Sequence, residues 1–127
     1  MFDNLDVLRV AKGLASHAAA RQIAVAQNIA NADTPEYRAR DLASFESTFR
    51  SDSAGIRATR PGHLDFNAAG YEPPAPAAVD GPASPNGNTV SLETEMVRAV
   101  DVKRQHDLAL AVYRSSLDIL RASLGRR

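Results

Sequence analysis

Residues 91–124 read SLETEMVRAVDVKRQHDLALAVYRSSLDILRASL and carry the strongest helical signal in the chain. Ser91 is a predicted N-cap, and Glu93 and Glu95 complement the positive end of the helix dipole. Gly125 is the predicted stop at the other end. Alternating four- and three-residue steps, the a/d pattern of a coiled coil, link Leu92, Met96, Ala99, Lys103, His106, Leu110, Tyr113, Leu117, Leu120 and Leu124. We therefore predict a helix of roughly 34 residues, about 50 Å long.

A second helical pattern covers residues 5–31. Its a/d seam is rich in alanine, which favours helix and lets a partner backbone approach closely. Gly13 alone interrupts the pattern, at a cost of about 1 kcal/mol relative to alanine. The seam comprises Leu8, Ala11, Ala15, Ala18, Gln22, Val25 and Ile29. We predict a mainly α fold in which the two terminal helices pair as an antiparallel coiled coil.

The segment between the helices has a different composition. All seven prolines lie within residues 32–90, and five of them fall between Gly70 and Asn88. Proline removes backbone donors and bars helix, so this segment is predicted to be extended and irregular. Short apolar runs at residues 43–49 and 63–66 fit a helical turn or a strand. The predicted layout is an N-terminal helix layer, an extended linker and a C-terminal helix layer, at residues 1–31, 32–90 and 91–127.

Composition limits the size of the core. The chain of 127 residues has the length of about one domain. Hydrophobic residues make up 44% of it, but 23 of these hydrophobic residues are alanine and none is tryptophan. Few large side chains remain to build an interior, which disfavours a compact, autonomous enzyme fold.

Charge and residue usage exclude several classes of protein. The 15 basic and 15 acidic residues give a formal net charge of zero, so no basic excess points to nucleic acid. The absence of cysteine excludes disulfides and thiolate metal sites. No apolar run approaches the roughly 18 residues of a membrane span, so direct membrane insertion is not expected. The N-terminal sequence MFDNLDVLRV has no apolar region typical of a cleavable secretory signal.

Many apolar side chains lie outside the two seams and need a cover. They are Val7, Val10, Leu14, Ile23, Val97, Leu108, Val112 and Ile119. The middle segment, rich in Pro, Gly, Ser and Asp, is not expected to supply that cover. We infer self-association or a helical partner; the alternative is a small bundle closed by a helix at residues 39–50. Lys103 and His106 interrupt the second seam, where they either fix the register or reach solvent at a splayed part of the pair.

No arrangement of residues points to catalysis, a metal or a cofactor. His17, His63 and His106 are far apart in sequence, and each is expected to be a partly exposed polar residue. Ser115 and Ser116 lie within a predicted helix, without the strand–turn–helix context of a nucleophile. The sequence has no glycine-rich phosphate loop. An enzyme is therefore not predicted.

Residues 28–37, NIANADTPEY, are the most informative motif and indicate a helix stop. The two asparagines can bond backbone groups that become free as the helix ends. Thr34 is pushed to an extended conformation by Pro35, which also favours a turn. Tyr37 is then available to fold back on a helix.

The stretch NIANADTPEYRARDL, directly after an Ala- and Gln-rich helix, resembles the signature of bacterial flagellar basal-body rod proteins. The residues that match the signature are Asn28, Ala30, Asn31, Thr34, Pro35 and Tyr37. Residues 59–64 and 87–96, and the short length of the chain, also resemble the proximal-rod members of this family. Two positions depart from the family pattern: Glu36 replaces the usual glycine and His106 the usual tyrosine. Because a type II turn needs a positive φ at its third residue, Glu36 favours a type I turn or adds strain.

The resemblance implies a structural subunit of the proximal rod, which polymerises through its terminal helices and their seams into the tubular drive shaft that transmits torque. Such helices order only on incorporation, as soft Ala-rich helices without a sufficient core should. The implied partners are further copies, other rod proteins, and the membrane-ring and ring-to-rod adaptor proteins at the base. The implied location is the periplasmic rod, reached unfolded through the flagellar type III export apparatus without a cleaved signal. The alternative from another class is a small helical adaptor that binds one partner by helix-in-groove packing.

Overall fold

The computed structural model describes residues 2–53 and 71–125 of the chain. Its elements, in order, are helix α1 (Phe2–Ala30), strand β1 (Arg40–Asp41), helix α2 (Phe45–Ser53), strand β2 (Ala77–Ala78) and helix α3 (Leu92–Ser123). Helices α1 and α3 pack together extensively. The predicted mainly helical fold, with long helices towards both ends of the chain, is confirmed. Among the described helices, none combines the length and apolar character that a membrane crossing requires.

The ends of α3 follow the predicted signals. Ser91 is extended, and its side chain accepts a hydrogen bond from the Thr94 N–H. At the other end Gly125 has a φ of +83°, a left-handed conformation that glycine adopts without steric cost. The predicted N-cap and the predicted stop are both confirmed.

The buried positions of the two long helices recur every seven residues. In α1 they include Ala11, Ala18 and Val25. In α3 they are Glu95, Val102, Ala109 and Ser116. Most of these side chains are small, and small contact residues let helix axes approach closely. The interior is thin, since the buried hydrophobic residues of the described segments are Ala11, Ala18, Ala24, Val25, Ala39, Leu42, Val102 and Ala109.

The buried stripe of α3 differs in register from the predicted seam. The buried residues Glu95, Val102, Ala109 and Ser116 lie one position before the predicted residues Met96, Lys103, Leu110 and Leu117. At the alternate seam positions, Ala99, His106 and Leu120 are half-buried. At Ala109 and Ser116 the buried side chain is smaller than the predicted Leu110 and Leu117, as close helix packing requires, and at Val102 it is apolar where the predicted Lys103 is charged. At every second position of the predicted α3 seam, the residue that is buried is thus the one before the predicted residue.

The middle segment contains a short sheet. Strands β1 and β2 are antiparallel, and Arg40 lies opposite Ala78. The Val79 N–H extends this pairing by donating to the Ala39 carbonyl oxygen at 2.8 Å. The described part of residues 32–90 is therefore not wholly irregular.

Helix α2 occupies most of the apolar run at residues 43–49, for which a helical turn or a strand was predicted. It begins after Ser44, whose Oγ accepts the Ser47 N–H as an N-cap residue does. The predicted apolar run at residues 63–66 and the motif at residues 59–64 lie outside the described residues.

An aromatic cluster covers one face of α1. It joins His17 to Phe45, Phe49 and Tyr71, with ring centroids 5.1–6.2 Å apart. Gly13 lies against it, because an added Cβ would meet the Tyr71 Cβ at 3.2 Å. The helix-interrupting glycine therefore permits a close approach. The expectation that the middle segment gives no cover is wrong for this face. Helix α2 contacts α1 here, as the alternative of a small bundle closed by a helix at residues 39–50 predicts.

Candidate functional site

Polar groups join the end of α1 to the rest of the chain at what we call the helix junction (Asn28, Tyr37, Arg40, Asn88 and Glu95), in which the side chains of Asn28, Asn88 and Glu95 are buried. Asn28 is fully buried. Its Nδ2 donates to the Arg40 carbonyl oxygen at 2.7 Å, and its Oδ1 accepts the Arg40 N–H at 2.9 Å. Asn28 thus binds both backbone groups of Arg40 as a neighbouring strand would. The expected bonding of backbone groups by Asn28 is found, but these groups belong to β1 rather than to the helix end.

Glu95 links the first turn of α3 to the same junction. Its side chain is buried, with Oε2 accepting from Asn28 at 3.1 Å and Oε1 accepting from Arg98 at 2.7 Å. The Tyr37 hydroxyl lies 3.4 Å from the Asn28 Oδ1, so Tyr37 folds back on α1 as predicted. A buried carboxylate is tolerated when its oxygens are partnered, which Asn28 and Arg98 achieve. Glu95 therefore has a packing role that the helix dipole alone does not predict.

Asn88 binds the carbonyl groups that follow α1. Its Nδ2 lies 2.8–2.9 Å from the carbonyl oxygens of Asn31, Ala32 and Thr34. Its Oδ1 accepts the Val90 N–H at 2.7 Å. These carbonyl groups lie in the turn just after α1, which ends at Ala30, so Asn88 holds this turn against the approach to α3.

The turn between α1 and β1 contains the departure from the family pattern. Glu36 has a φ of +59°, the only positive φ of a non-glycine residue within residues 2–53 and 71–125. The Tyr37 N–H lies 3.4 Å from the Thr34 carbonyl oxygen, and a positive φ at the third residue indicates a type II turn. Of the two expected outcomes for Glu36, strain is the one found. The other motif residues Ala30, Thr34 and Pro35 are exposed, and Asn31 is half-buried.

A second polar link holds β1 on α1. Arg21 binds both carboxylate oxygens of Asp41, at 2.7 and 2.8 Å. Burial alone raises the pKa of Asp41, but hydrogen bonds from Arg21 and the Leu42 N–H outweigh this and lower the pKa below its ordinary value. The hydrogen bond to Asp41 raises the pKa of Arg21. This link stabilises the ionised form of both side chains.

The histidines differ in their surroundings. His17 is buried, with its Nε2 at 2.8 Å from the Ala43 carbonyl oxygen. Its buried Nδ1 has no hydrogen-bond partner among the described residues. The expected partial exposure is wrong for His17, confirmed for His106, and His63 lies outside the described residues. Within residues 2–53 and 71–125, no group of three or more His, Cys, Asp or Glu side chains could hold a metal ion.

Lys103, which interrupts the predicted α3 seam, points into solvent. Its Nζ lies 2.9 Å from an Asp107 carboxylate oxygen on the exposed surface. This bond raises the pKa of Lys103 and lowers that of Asp107. Of the two arrangements expected for Lys103, the structure has the solvent-exposed one.

The predicted assembly residues fall into three groups by exposure. Three are buried: Ala11, Ala18 and Val25. Six are half-buried: Leu8, Ala15, Ile29, Leu110, Leu117 and Leu120. Five are exposed: Gln22, Leu92, Met96, Tyr113 and Leu124. The contacts of these residues with other chains stay a prediction.

Of the eight apolar side chains outside the seams that were predicted to need a cover, all are exposed except the half-buried Leu14. The exposed ones are Val7, Val10, Ile23, Val97, Leu108, Val112 and Ile119, and Val100 joins them. Both long helices therefore present apolar surface that the described part of the chain leaves open to solvent.

Comparison with known proteins gives one consistent kind of relative. No protein-family model matches the chain. The flagellar basal body rod protein FlgB of Agrobacterium fabrum is 33% identical over 119 residues, 87% of each chain. The protein of the same name from Salmonella typhimurium is 33% identical over 128 residues, 92% of each chain. That from Bacillus subtilis is 32% identical over 83 residues, 64% of each chain.

Proposed function

The chain belongs to the FlgB family of flagellar basal body rod proteins, and from this premise we propose that it is a structural subunit of the proximal rod. In this role it polymerises through its terminal helices into the tubular drive shaft that transmits torque. The role requires no catalytic site, cofactor or metal.

The proposal includes an antiparallel coiled coil of α1 and α3. Near the end of α1, Asn28 contacts Glu95 in the first turn of α3. Nearer the start of α1, Val10 lines a cavity with Leu108 and Val112, well along α3. Contacts that run in opposite directions along two helices support an antiparallel pair, and burial every seventh residue supports a coiled coil.

The observation that carries the proposal is the distribution of large and small side chains on α3. Val97 and Val100 are 64% and 69% exposed, whereas Ala109 is 1% exposed. A self-sufficient protein buries its valines preferentially, and contiguous exposed apolar surface marks an interaction site. The helices of this chain are therefore built to be covered by other chains.

The proposed partners are further copies, other rod proteins, and the membrane-ring and ring-to-rod adaptor proteins at the base of the rod. The proposed route is the flagellar type III export apparatus, which the chain passes unfolded and without a cleaved signal, to reach the periplasmic rod. The small, mostly Ala-built interior supports this route, because such a core is easily unfolded and is completed on assembly.

Charged substitutions in the second half of α3 test the proposal. Leu117 and Leu120 are half-buried, and an aspartate at either position places a charge against apolar surface. We expect Leu117→Asp or Leu120→Asp to abolish swimming by blocking assembly, while the variant is still exported. Swimming in soft agar, electron microscopy of basal bodies and immunoblots of exported protein measure these effects.

The matched control is Ala111→Asp, because Ala111 is exposed on the same helix and lies one turn from the charged residues Asp107 and Arg114. This control variant should swim normally. Normal motility of a Leu117→Asp/Leu120→Asp double variant would contradict the proposed role of α3 in assembly.

A further inference from the structure

Helices α1 and α3 form the two walls of a solvent-open groove of about 320 Å³. We call it the apolar groove (Val7, Val10, Leu108 and Val112). These four side chains are 38–59% exposed. Apart from Asp6 at its margin, the groove is lined by apolar residues. Such a groove is suited to an apolar ridge of another helix.

The apolar groove continues a stripe of α1 that is already covered farther along. Val10, Leu14, His17, Arg21 and Ala24 follow one another at three- and four-residue steps and therefore share a face. On this face, His17 is covered by the aromatic cluster and Arg21 by Asp41. Val10 is 38% exposed, so the cover supplied by the described middle segment stops short of the groove.

A matching convex surface lies elsewhere on the same chain. Met96, Val97 and Val100, here the apolar ridge, are 56%, 64% and 69% exposed. At about 100° per residue, Val97 and Val100 lie roughly 160° around α3 from the buried residues Glu95 and Val102. The apolar ridge thus faces away from α1 and is open to a second chain.

We propose that the apolar groove of one copy receives the apolar ridge of the next copy. This contact rests on the proposed rod function and names the partner of its exposed faces. The two surfaces are different parts of one chain, so the contact is heterologous, and with an axial stagger between copies it generates an open helical assembly rather than a closed dimer or ring. The ridge and the groove lie about 12 residues apart on α3, which sets a stagger of ~18 Å between neighbouring copies.

Charge supports a second copy as the occupant. The formal net charge of the chain is zero, so copies do not repel one another at long range. Near the ridge, three ion pairs form within α3, Glu95 with Arg98, Asp101 with Arg104, and Lys103 with Asp107, whereas the exposed Glu93 has no ion pair among the described residues. Packing the ridge into a groove therefore brings few uncompensated charges to the interface.

Engineered cysteines test the contact, because the native chain has none. A Val10→Cys/Val97→Cys double variant should form a ladder of disulfide-linked oligomers when it replaces the native protein in flagellated cells. A mixture of the two single variants should give linked dimers but no higher species. Disulfides require Cα atoms within about 4–7 Å, so this pattern is specific to the proposed pairing.

The control is a Val10→Cys/Ala111→Cys variant, since Ala111 is also exposed on α3 but lies outside the ridge. A second ridge position, Val100→Cys, guards against poor disulfide geometry at Val97. Linkage severalfold above the control, in cells that still swim, supports the contact. Swimming cells without linkage at either ridge position would overturn the contact and leave the rod function standing. Absence of the unaltered chain from purified basal bodies would overturn the rod function itself.

Discussion

Asn28 has no exposed surface. Its Nδ2 donates to the Arg40 carbonyl oxygen and to a Glu95 carboxylate oxygen, and its Oδ1 accepts the Arg40 N–H. Replacement by alanine leaves the Arg40 N–H and one Glu95 oxygen without their partner. Each unsatisfied buried group costs about 1–3 kcal/mol, so we expect Asn28→Ala to lower the free energy of unfolding by at least ~2 kcal/mol. Urea unfolding followed by circular dichroism, at equal concentrations where the chains are associated, measures the change.

The control for this variant is Asn31→Ala. The Asn31 side chain bonds Gln27 and Thr34 on the exposed surface, where water replaces a lost partner. The loss should be below about 1 kcal/mol. Equal losses for the two variants would contradict the assignment of Asn28 as the central residue of the helix junction.

Glu36 is held in a left-handed conformation that favours glycine. A side chain in this conformation costs roughly 1 kcal/mol, so Glu36→Gly should stabilise the folded chain by about that amount. Gly87 packs against Glu36 and has a φ of +80°, so it allows the opposite substitution, from glycine to a residue with a side chain. Gly87→Ala should lower stability by a similar amount. Thermal unfolding at matched concentration measures both, and a destabilised Glu36→Gly variant would contradict the strained type II turn.

At the scale of elements, the Arg21–Asp41 pair makes the docking of β1 on α1 sensitive to acid. The pKa of Asp41 is lower in the folded chain than in the unfolded chain, so folding favours the ionised carboxylate. This stabilisation is complete above the ordinary pKa of about 3.9 and is lost as the pH falls through the lower, folded value. Unfolding curves between neutral pH and about pH 3 should show this decline.

Asp41→Asn should flatten the decline, because asparagine does not titrate in this range. Asp107→Asn serves as the control, since it removes only surface contacts with Lys103 and His106 and should change the acid dependence little. An unchanged acid profile in Asp41→Asn would show that the pair does not stabilise the docking of β1.

Local signals predict the elements, whereas contacts distant in sequence determine the helix junction. Ser91 and Gly125 mark the ends of α3 through groups a few residues away, and both were predictable. Asn88 and Glu95 meet the end of α1 from more than 50 residues away, and no local pattern indicates such partners. Sequence periodicity does not predict the α3 register at Ala109 and Ser116, because it gives most weight to the large side chains of Leu110 and Leu117, whereas close packing selects the small ones.

At the scale of the whole molecule, cover for the helices is distributed unequally. The aromatic cluster and the Arg21–Asp41 pair cover one face of α1, which the composition of the middle segment did not predict. The exposed apolar residues of α3, among them Val97, Val100 and Leu108, have no such cover in the described part of the chain. The central claim is that association with other chains supplies it, so helix formation and assembly are coupled.

Sedimentation velocity combined with circular dichroism, over a concentration series of the purified chain, tests this claim most directly. We expect low helicity and a small, slowly sedimenting species in dilute solution, with helicity rising as larger species form. A dilute monomer that is fully helical, unfolds cooperatively and remains monomeric at every concentration would contradict it.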